Sequence, residues 1–476
     1  MRLTPLSTPR SLRLTVLFLL APVAAAAQGV NTLPANLSAK VQAAVTDIVA
    51  RTHVPSASVG IVQGGRIVYT AAFGQARLAP ALPATPAMHY AIGSISKQFT
   101  TACVMLLVQE GKMSLDDPVA KYFPELTRSN EVTVRNLLSH TSGYQDYAPQ
   151  DYTIPDWTRP TTANAIIHAW ATKPLDFDPG TQYQYSNTNF NIVGLIIEKV
   201  SGQPFWNFLS TRVLRPLGLT NTIDLDTQRG QLEPTGYMRN ALGPLRPAIP
   251  EAPGWYFADG GMAMPASDLL TWDISEMDRS LLAPESYREM ETETKLRNGQ
   301  GIGYGLGVAV GYRNGHRVVA HGGEIGGFVA SNTVFPDDKI AVVVLTNQEA
   351  SSAAGAIGRA ISALLLPPAV TSTGDPGPAE SQAKGILSGL QQGQIDRSLF
   401  TADANFYFDA TALGDFRTSL APLGAIKTLR QNGSSLRGGM TYRGFDVEFA
   451  DGTKVTLSTY TTADGKIEQF LVDAPG

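Results

Sequence analysis

The sequence has a single cysteine, Cys103, among 476 residues. One cysteine cannot form a disulfide within the chain, and it cannot supply a zinc site built from several thiolates. Charged residues make up 16% of the chain, the formal net charge is −4, and Lys and Arg never form a run of five or more. The sequence therefore lacks the basic surface that nucleic acids and anionic membranes require.

Several common cofactor and nucleophile motifs are also absent. The sequence contains no Gly-x-Ser-x-Gly elbow, no Walker phosphate loop and no Gly-x-Gly-x-x-Gly fingerprint. Its six histidines form neither a His-x-x-x-His nor a Glu-x-x-His pair that would indicate a metal. We therefore expect no metal and no cofactor.

The remaining composition is typical of a globular protein. Hydrophobic residues make up 43% of the chain, which also has 45 Gly and 31 Pro, and this composition excludes disorder throughout. At about 150 residues per domain, the length corresponds to about three domain-sized units, or to one large two-lobed domain plus a small one.

The first 27 residues have the pattern of an export signal. Arg2, Arg10 and Arg13 precede an apolar stretch at 14–21, and alanines at 24–27 supply the small residues that a signal peptidase needs. The apolar run after Arg13 is about 14 residues long, whereas a membrane span needs about 20. We expect cleavage and a periplasmic or secreted protein with no stable membrane anchor. An uncleaved anchor is the alternative.

The order of predicted elements favours an α+β fold for residues 28–366. A helical pattern at 37–52 is followed by two β-rich runs joined at Gly64-Gly65, which is typical of a two-residue hairpin. After a helix at 96–110 and a long helical region, the sequence predicts three strands and a final helix, at 317–320, 328–335, 339–346 and 353–366. This order predicts an antiparallel sheet, made from the first two and last three strands, flanked by helices and beside an all-helical lobe.

The rest of the chain is predicted to form a linker and a small accessory domain. Residues 367–382 are rich in Pro, Ser, Thr and Gly, which favours a linker. Within 383–476, helical patterns near 383–392 and 410–423 precede β-rich runs that are separated by Asn432-Gly433, Asp451-Gly452 and Asp464-Gly465. These three turn signals predict a four-stranded meander packed on helices, an α+β pattern similar to the cystatin-like or nuclear-transport-factor-like cone.

One short stretch, Gly93-Ser94-Ile95-Ser96-Lys97, has the residues for nucleophilic chemistry. At the start of a helix, Ser94 and Lys97 would share one face because they are three residues apart. A lysine whose ammonium form is disfavoured by burial or by another cation can act as base toward a serine hydroxyl. The helix start also supplies a main-chain N–H for an oxyanion. The spacing alone is weak evidence, since Ser381 and Lys384 match it too.

Two further elements complete the candidate site. In Tyr185-Ser186-Asn187, the tyrosine could carry a proton to the leaving group, and Asn187 could hold Lys97 and a substrate amide. In His321-Gly322-Gly323-Glu324, the paired glycines would let a substrate approach the strand, and the Glu324 N–H could be the second oxyanion donor. The structural interpretations are a core tyrosine at 185 and a bulge before a turn at 321–324.

Taken in order, these three elements resemble the serine β-lactamase and penicillin-binding-protein superfamily, and within it the class C-like branch of D-peptidases, esterases and β-lactamases. The resemblance covers about residues 37–366 and includes the strings Leu115-Asp116-Asp117-Pro118, Leu137-Leu138-Ser139-His140-Thr141-Ser142-Gly143 and Gly303-Tyr304-Gly305-Leu306-Gly307. It implies a β-lactamase/transpeptidase-like fold. We expect a structural role for His140, holding a loop together.

By this resemblance each candidate residue takes a role. Ser94 is the acylated nucleophile, and Lys97 and Tyr185 share the general acid and base work. The amides of Ser94 and Glu324 form the oxyanion hole, while Asn187 and His321 complete the site.

One position departs from the family pattern. β-Lactamases of this branch usually carry Lys-Thr-Gly where this chain has His321-Gly322-Gly323. A lysine would attract the carboxylate of a penicillin, but a histidine with an ordinary pKa of about 6.5 is mostly neutral at pH 7. Glu324 would repel an anion further. The His-x-Gly pattern is more similar to the esterases and D-aminopeptidases of the branch.

The sequence therefore favours a serine hydrolase that works through an acyl-enzyme on esters or on D-amino-acid amides and peptides. The partner that we expect is this small-molecule or peptide substrate. A class C-type β-lactamase and a non-catalytic, penicillin-binding-like protein that binds cell-wall peptides are the alternatives.

Overall fold

The structure is a computed structural model that describes residues 27–313, 316–366, 378–437, 440–462 and 464–474. The export signal predicted at 1–27 lies outside these ranges except for its last residue. Most of the predicted linker, 367–377, also lies outside them.

The predicted helices and strands occur in their predicted order, together with short elements that the sequence did not predict. Within the described ranges the helices are α1 (Ala35–Thr52), α2 (Ser96–Gln109), α3 (Val134–Leu138), α4 (Ala163–Trp170), α5 (Asn187–Ser201), α6 (Phe205–Leu209), α7 (Leu225–Gln228), α8 (Phe257–Gly260), α9 (Ala266–Asp278), α10 (Pro284–Glu291), α11 (Ala353–Leu365), α12 (Pro378–Gln391), α13 (Ala402–Tyr407) and α14 (Ala410–Leu420). The strands are β1 (Ala27–Asn31), β2 (Ser56–Gln63), β3 (Arg66–Leu78), β4 (Ala81–Pro83), β5 (Tyr90–Ala91), β6 (Ile223–Asp224), β7 (Tyr237–Met238), β8 (Arg246–Pro247), β9 (Met262–Met264), β10 (Ala309–Arg313), β11 (His316–Ile325), β12 (Phe328–Phe335), β13 (Ile340–Thr346), β14 (Ile426–Arg437), β15 (Met440–Phe449), β16 (Lys454–Thr461) and β17 (Ile467–Asp473).

The main sheet joins early and late strands, as the sequence predicts. Its order is β1-β3-β2-β13-β12-β11-β10, with antiparallel neighbours. The pairing of β2 with β13 joins the early strands to the late strands and places Val59 opposite Val344. Gly64 and Gly65 both have positive φ, 61° and 73°, which is the backbone that the tight β2–β3 hairpin requires. The sequence missed β1 and β10, and β11 runs five residues past the predicted end, to Ile325.

Helices cover both faces of this sheet. Along β13, Val342 and Val344 pack with α1 and α11, while Val343 and Leu345 pack in the core on the other face, because side chains alternate along a strand. Helix α2 lies between the sheet and the helical lobe, and every residue from Ser96 to Leu107 is buried. This central helix follows directly after Ser94.

The C-terminal part has its own sheet, β14-β15-β16-β17, packed with α12 to α14 around a separate apolar cluster. The predicted meander and two of its turns are confirmed, since Gly452 and Gly465 have positive φ at strand ends. The turn predicted at Asn432-Gly433 is wrong. This pair lies inside β14, where the register shifts between Gln431 and Gly433, so a bulge absorbs the extra residue.

Two other details of the C-terminal prediction need correction. Helix α12 begins at Pro378, so 378–382 is not linker but the first helical turn, where a proline fits because that turn needs no N–H donor. Helix α13 was not predicted. In the described part of the chain, no helix combines the length and the apolar composition that crossing a membrane requires.

A buried polar chain connects α2, α9 and β12. Trp272 Nε1 donates to Gln98 Oε1 at 2.8 Å, and Gln98 Nε2 donates to Asn332 Oδ1 at 3.2 Å. Asn332 Nδ2 then donates to Asp273 Oδ1 at 2.7 Å. Burial raises the pKa of Asp273 to about 8, although the hydrogen bond from Asn332 acts in the opposite direction.

The raised pKa of Asp273 predicts a pH-dependent stability. The folded chain keeps a proton on this carboxyl that the unfolded chain releases at about pH 4, so stability falls as the pH rises from about 4 to about 8. We expect Asp273→Asn, which keeps the acceptor for Asn332, to lose less thermal stability than the wild type between pH 5 and pH 8.5. Asp278→Asn, at an exposed position of the same helix, is the control. An unchanged pH slope of the melting temperature in Asp273→Asn would show that the carboxyl is ionised when buried.

Candidate active site

The first two predicted residues meet as expected. Ser94 lies in a 3₁₀ turn, Gly93–Ile95, that leads into α2, and Lys97 is the second residue of α2. Lys97 Nζ lies 2.9 Å from Ser94 Oγ. The lysine side chain is fully buried, which disfavours its charged form relative to water.

Two further partners of Lys97 come from the helical lobe. Nζ donates to Asn187 Oδ1 at 2.7 Å and to the Asp259 carbonyl oxygen at 2.8 Å. Asn187 begins α5, and its Nδ2 donates to Asp146 and to the Ala148 carbonyl, which fixes the orientation of the amide. Both lobe partners can only accept. The protonated amine can donate to Ser94 Oγ as well as to these two acceptors, whereas the neutral amine can keep its two hydrogens on the lobe acceptors and direct its lone pair toward the Ser94 hydroxyl.

Asp259 also brings a carboxyl group into this network, and sequence reasoning missed it. Its Oδ2 accepts from the Tyr147 hydroxyl at 2.8 Å and from Asn191 Nδ2 at 2.9 Å. Burial raises the pKa of Asp259 to about 7, while the positive charge of Lys97 acts to lower it. The paired glycines that follow, Gly260-Gly261, are the one local signal that could have drawn attention to this residue.

Tyr185 lies beside the amine and is held by a buried histidine. The Tyr185 ring centroid is 5.1 Å from Lys97 Nζ, and the ring stacks on His140 at 4.1 Å between centroids. His140 Nδ1 accepts from the Ser186 N–H at 3.2 Å, so this histidine contacts both the ring and the backbone of the Tyr185 segment. These contacts are of the structural kind expected for His140.

Close backbone contact brings the end of β11 against the turn that carries Ser94. A Cβ placed on Gly323 would lie 1.8 Å from the Ile92 carbonyl oxygen and 3.2 Å from the Ser94 nitrogen. A Cβ on Gly93, which has φ +50°, would lie 2.7 Å from the Glu324 nitrogen. Only glycine permits this approach. The amides of Ser94 and Glu324, both predicted oxyanion donors, are thus held in neighbouring positions.

His321 is neutral and hydrogen-bonded at both ring nitrogens. Its Nδ1 donates to the Gly322 carbonyl oxygen, so Nε2 accepts from the Tyr304 hydroxyl at 2.9 Å. Burial, followed by the positive charge of Lys97, lowers the pKa of His321 to about 4. Tyr304 stands in one of the quoted sequence strings, but nothing in the sequence assigned it this contact.

These residues line one cleft of about 410 Å³. Of the predicted site residues, Ser94, Tyr185, Asn187 and 321–324 form its wall, and Lys97 lies behind them. None of the described residues that line the cleft is Lys or Arg, and four are acids besides Asp259: Asp151, Glu251, Glu324 and Glu349. In the described ranges, no group of three or more His, Cys, Asp or Glu side chains is placed to hold a metal.

A comparison with protein families finds one match over most of the chain. A family model described as Beta-lactamase matches residues 41–365. A D-aminopeptidase of Gluconobacter oxydans (strain 621H) is 27% identical over 322 residues, which cover 66% of this chain and 59% of the relative. Protein flp of Staphylococcus aureus (strain NCTC 8325 / PS 47) is 27% identical over 307 residues, covering 62% of this chain and 60% of the relative. The chain therefore spans less than two thirds of these relatives' length.

Solved structures share the fold. A D-stereospecific amidohydrolase from Streptomyces sp. matches 70% of this chain and 99% of its own, with a TM-score of 0.59 and 29% identity. The octameric penicillin-binding protein homologue from Pyrococcus abyssi matches 91% of this chain and 99% of its own, with a TM-score of 0.61 and 23% identity. The predicted β-lactamase/transpeptidase-like fold is confirmed.

The contact at Gly323 predicts a sharp difference between neighbouring glycines. Gly323→Ala must move β11 away from the Ser94 turn, and losing one oxyanion donor typically costs about 10²-fold to 10³-fold in kcat. At Gly322 the nearest atom to an added Cβ is 3.8 Å away, so Gly322→Ala should lose far less. Steady-state kinetics and melting temperatures of the two variants test this. Equal losses of activity would contradict the close-contact account.

Proposed function

The chain belongs to the Beta-lactamase family, and from this premise we propose that it is a serine hydrolase that forms an acyl-enzyme on Ser94. The observation that carries the proposal is the buried Lys97 amine, 2.9 Å from Ser94 Oγ and bonded to two acceptors from the helical lobe. This arrangement suits a base for the serine hydroxyl.

The proposed reaction has two halves. Ser94 Oγ attacks the substrate carbonyl carbon as its proton passes to Lys97, and the N–H groups of Ser94 and Glu324 donate hydrogen bonds to the developing oxyanion. The intermediate collapses, the bond to the leaving group breaks, and the leaving group takes a proton through Tyr185. Water then attacks the acyl-serine by the reverse proton path and releases the acid.

The electrostatics of the cleft favour substrates without a carboxylate near the reacting carbonyl. His321 is neutral where a β-lactamase of this branch carries a lysine, and its lowered pKa keeps it neutral down to about pH 4. Glu324 and Glu251 line the same cleft, and their charges would repel an anion. We therefore propose esters or D-amino-acid amides and peptides as substrates rather than penicillins.

The names of two similar proteins agree with this substrate class. The similar proteins include a D-aminopeptidase and a D-stereospecific amidohydrolase. A neutral or cationic acyl group suits an acid-lined cleft, and amides of D-amino acids carry such a group. A class C-type β-lactamase and a non-catalytic cell-wall peptide binder are the competing functions.

Replacement of the nucleophile gives the first test. We expect Ser94→Ala to lower kcat/KM for a p-nitrophenyl ester by about 10³-fold or more, because binding and the oxyanion donors alone sustain only a small remnant of turnover. Ser381→Ala is the matched control, since Ser381 has the same spacing to a lysine but lies at an exposed position of α12. Ester turnover that persists in Ser94→Ala at the wild-type rate would refute the assignment.

Removal of a negative charge from the cleft gives the second test. On a panel of p-nitrophenyl esters, D-alanine amides and nitrocefin, we expect the wild type to prefer the esters and amides. Glu324→Gln keeps the acceptor for the Ala350 N–H and removes a negative charge. It should therefore reduce the difference in kcat/KM between neutral and carboxylate-bearing substrates. Nitrocefin turnover as fast as ester turnover in the wild type would favour the β-lactamase instead.

A further inference from the structure

The accessory sheet contacts the cleft through a buried glutamine. Gln469 lies in β17 and is fully buried. Its Oε1 accepts from the Asp151 main-chain N–H at 2.7 Å, and its Nε2 donates to Asp151 Oδ2 at 3.1 Å. Nε2 also donates to Ser458 Oγ of the neighbouring strand β16 at 3.2 Å. One amide therefore holds both the backbone and the side chain of Asp151.

Tyr152, the next residue of the cleft wall, also contacts the accessory domain. The Tyr152 hydroxyl donates to the Glu468 carbonyl oxygen at 2.8 Å, and the Tyr152 ring packs on Tyr407 of α13 at 5.0 Å between centroids. Asp151 and Tyr152 both line the cleft that contains Ser94. A segment of the cleft wall is thus hydrogen-bonded to β17 and packed against α13 of the accessory domain.

Strand β17 is itself fixed to the main body. At its end, Asp473 pairs with Arg239 at 2.9 Å, and both side chains are buried. The other Asp473 oxygen accepts from the Ser352 N–H at 2.7 Å, and Ser352 Oγ donates to the Ala474 carbonyl oxygen at 2.9 Å. A buried, bonded ion pair of this kind resists displacement, because separating it leaves charges without partners. Gln469 therefore bonds Asp151 from a strand with an anchored end.

We propose that Gln469 is a positioning residue that sets the substrate selectivity of the cleft. In this role the accessory domain supports the segment of the cleft wall that contains Asp151 and Tyr152. The inference rests on the proposed acyl-enzyme function at Ser94. An amide is the side chain that this position needs, because it accepts from the Asp151 N–H with one atom and donates to the Asp151 carboxylate with the other. A carboxylate would repel Asp151, and an apolar side chain would remove the acceptor of this part-buried N–H.

The role predicts an effect that depends on substrate size. Hydrolysis of p-nitrophenyl acetate needs Ser94, Lys97 and the oxyanion donors but little of the wall. A larger substrate, such as the p-nitroanilide of D-phenylalanine or p-nitrophenyl octanoate, would fill more of the cleft, whose lining includes residues 151–153. Loss of wall support should therefore raise KM for the larger substrates and leave kcat for acetate near the wild-type value.

The experiment compares four variants of the full chain by steady-state kinetics and melting temperature. Gln469→Ala and Gln469→Glu should raise the KM ratio of larger substrate to acetate by about fivefold to thirtyfold, the size expected for one or two lost hydrogen bonds. Tyr152→Phe, which removes only a hydroxyl and leaves the glutamine in place, should shift the ratio in the same direction. The double variant Asp151→Asn/Gln469→Glu restores a donor opposite an acceptor and should return the ratio toward the wild type.

The control is another glutamine of the same domain. Gln391 Nε2 donates to the carbonyls of Leu420 and Gly424 and does not line the cleft, so Gln391→Ala should lose stability without changing the KM ratio. The inference is overturned if the Gln469 variants match Gln391→Ala in KM ratio, or if they lose activity on all substrates equally. A wild-type chain with no hydrolase activity would instead overturn the proposed function, and the inference with it.

Discussion

The buried amine of Lys97 is the interaction on which the rest of the structure depends. Burying an amine away from water costs free energy unless its hydrogens form hydrogen bonds. The hydrogen-bond partners of Lys97 come from three places: the 3₁₀ turn before α2, the start of α5 and the end of α8. The helical lobe must therefore pack against α2 before those partners converge. Helix α2 is buried along most of its length, and Asp146 of the lobe accepts from both the main-chain N–H and the side-chain amide of Asn187.

The cleft combines a strict backbone geometry with a lining that includes no lysine or arginine among its described residues. Glycines at 93 and 323 let two main chains meet at the distance that brings the Ser94 and Glu324 amides together. Around them stand a neutral histidine and several carboxyl groups, of which Glu349 has its pKa raised to about 8 by burial. Geometry of this kind serves acyl transfer in general, whereas in the proposed function the charges select among acyl groups. Reaction type and substrate preference thus have separate physical sources in the proposed function.

Local patterns predicted what local physics determines. The Ser94–Lys97 contact follows from helical spacing, the β2–β3 hairpin follows from Gly64-Gly65, and strand order along the chain gave the main sheet. The prediction of a turn at Asn432-Gly433 was wrong because the pairing between β14 and β15 continues past this pair through a bulge. Asp259 and Tyr304 could not be predicted, since their roles come from contacts made across the fold. Gln469 and Asp151 are 318 residues apart, and no spacing rule links two such positions.

The central claim is that the Ser94 hydroxyl is a nucleophile activated by Lys97, and the most direct measurement is the site of covalent modification by a serine-directed reagent. The chain is treated with a fluorophosphonate, from whose phosphorus atom an activated serine oxygen displaces fluoride, and is then digested and mapped by tandem mass spectrometry. The account predicts one adduct, on Ser94, that is lost when Lys97 is replaced by Ala in a variant that keeps the wild-type melting temperature. An adduct on another residue, or undiminished labelling of Ser94 without Lys97, would contradict it.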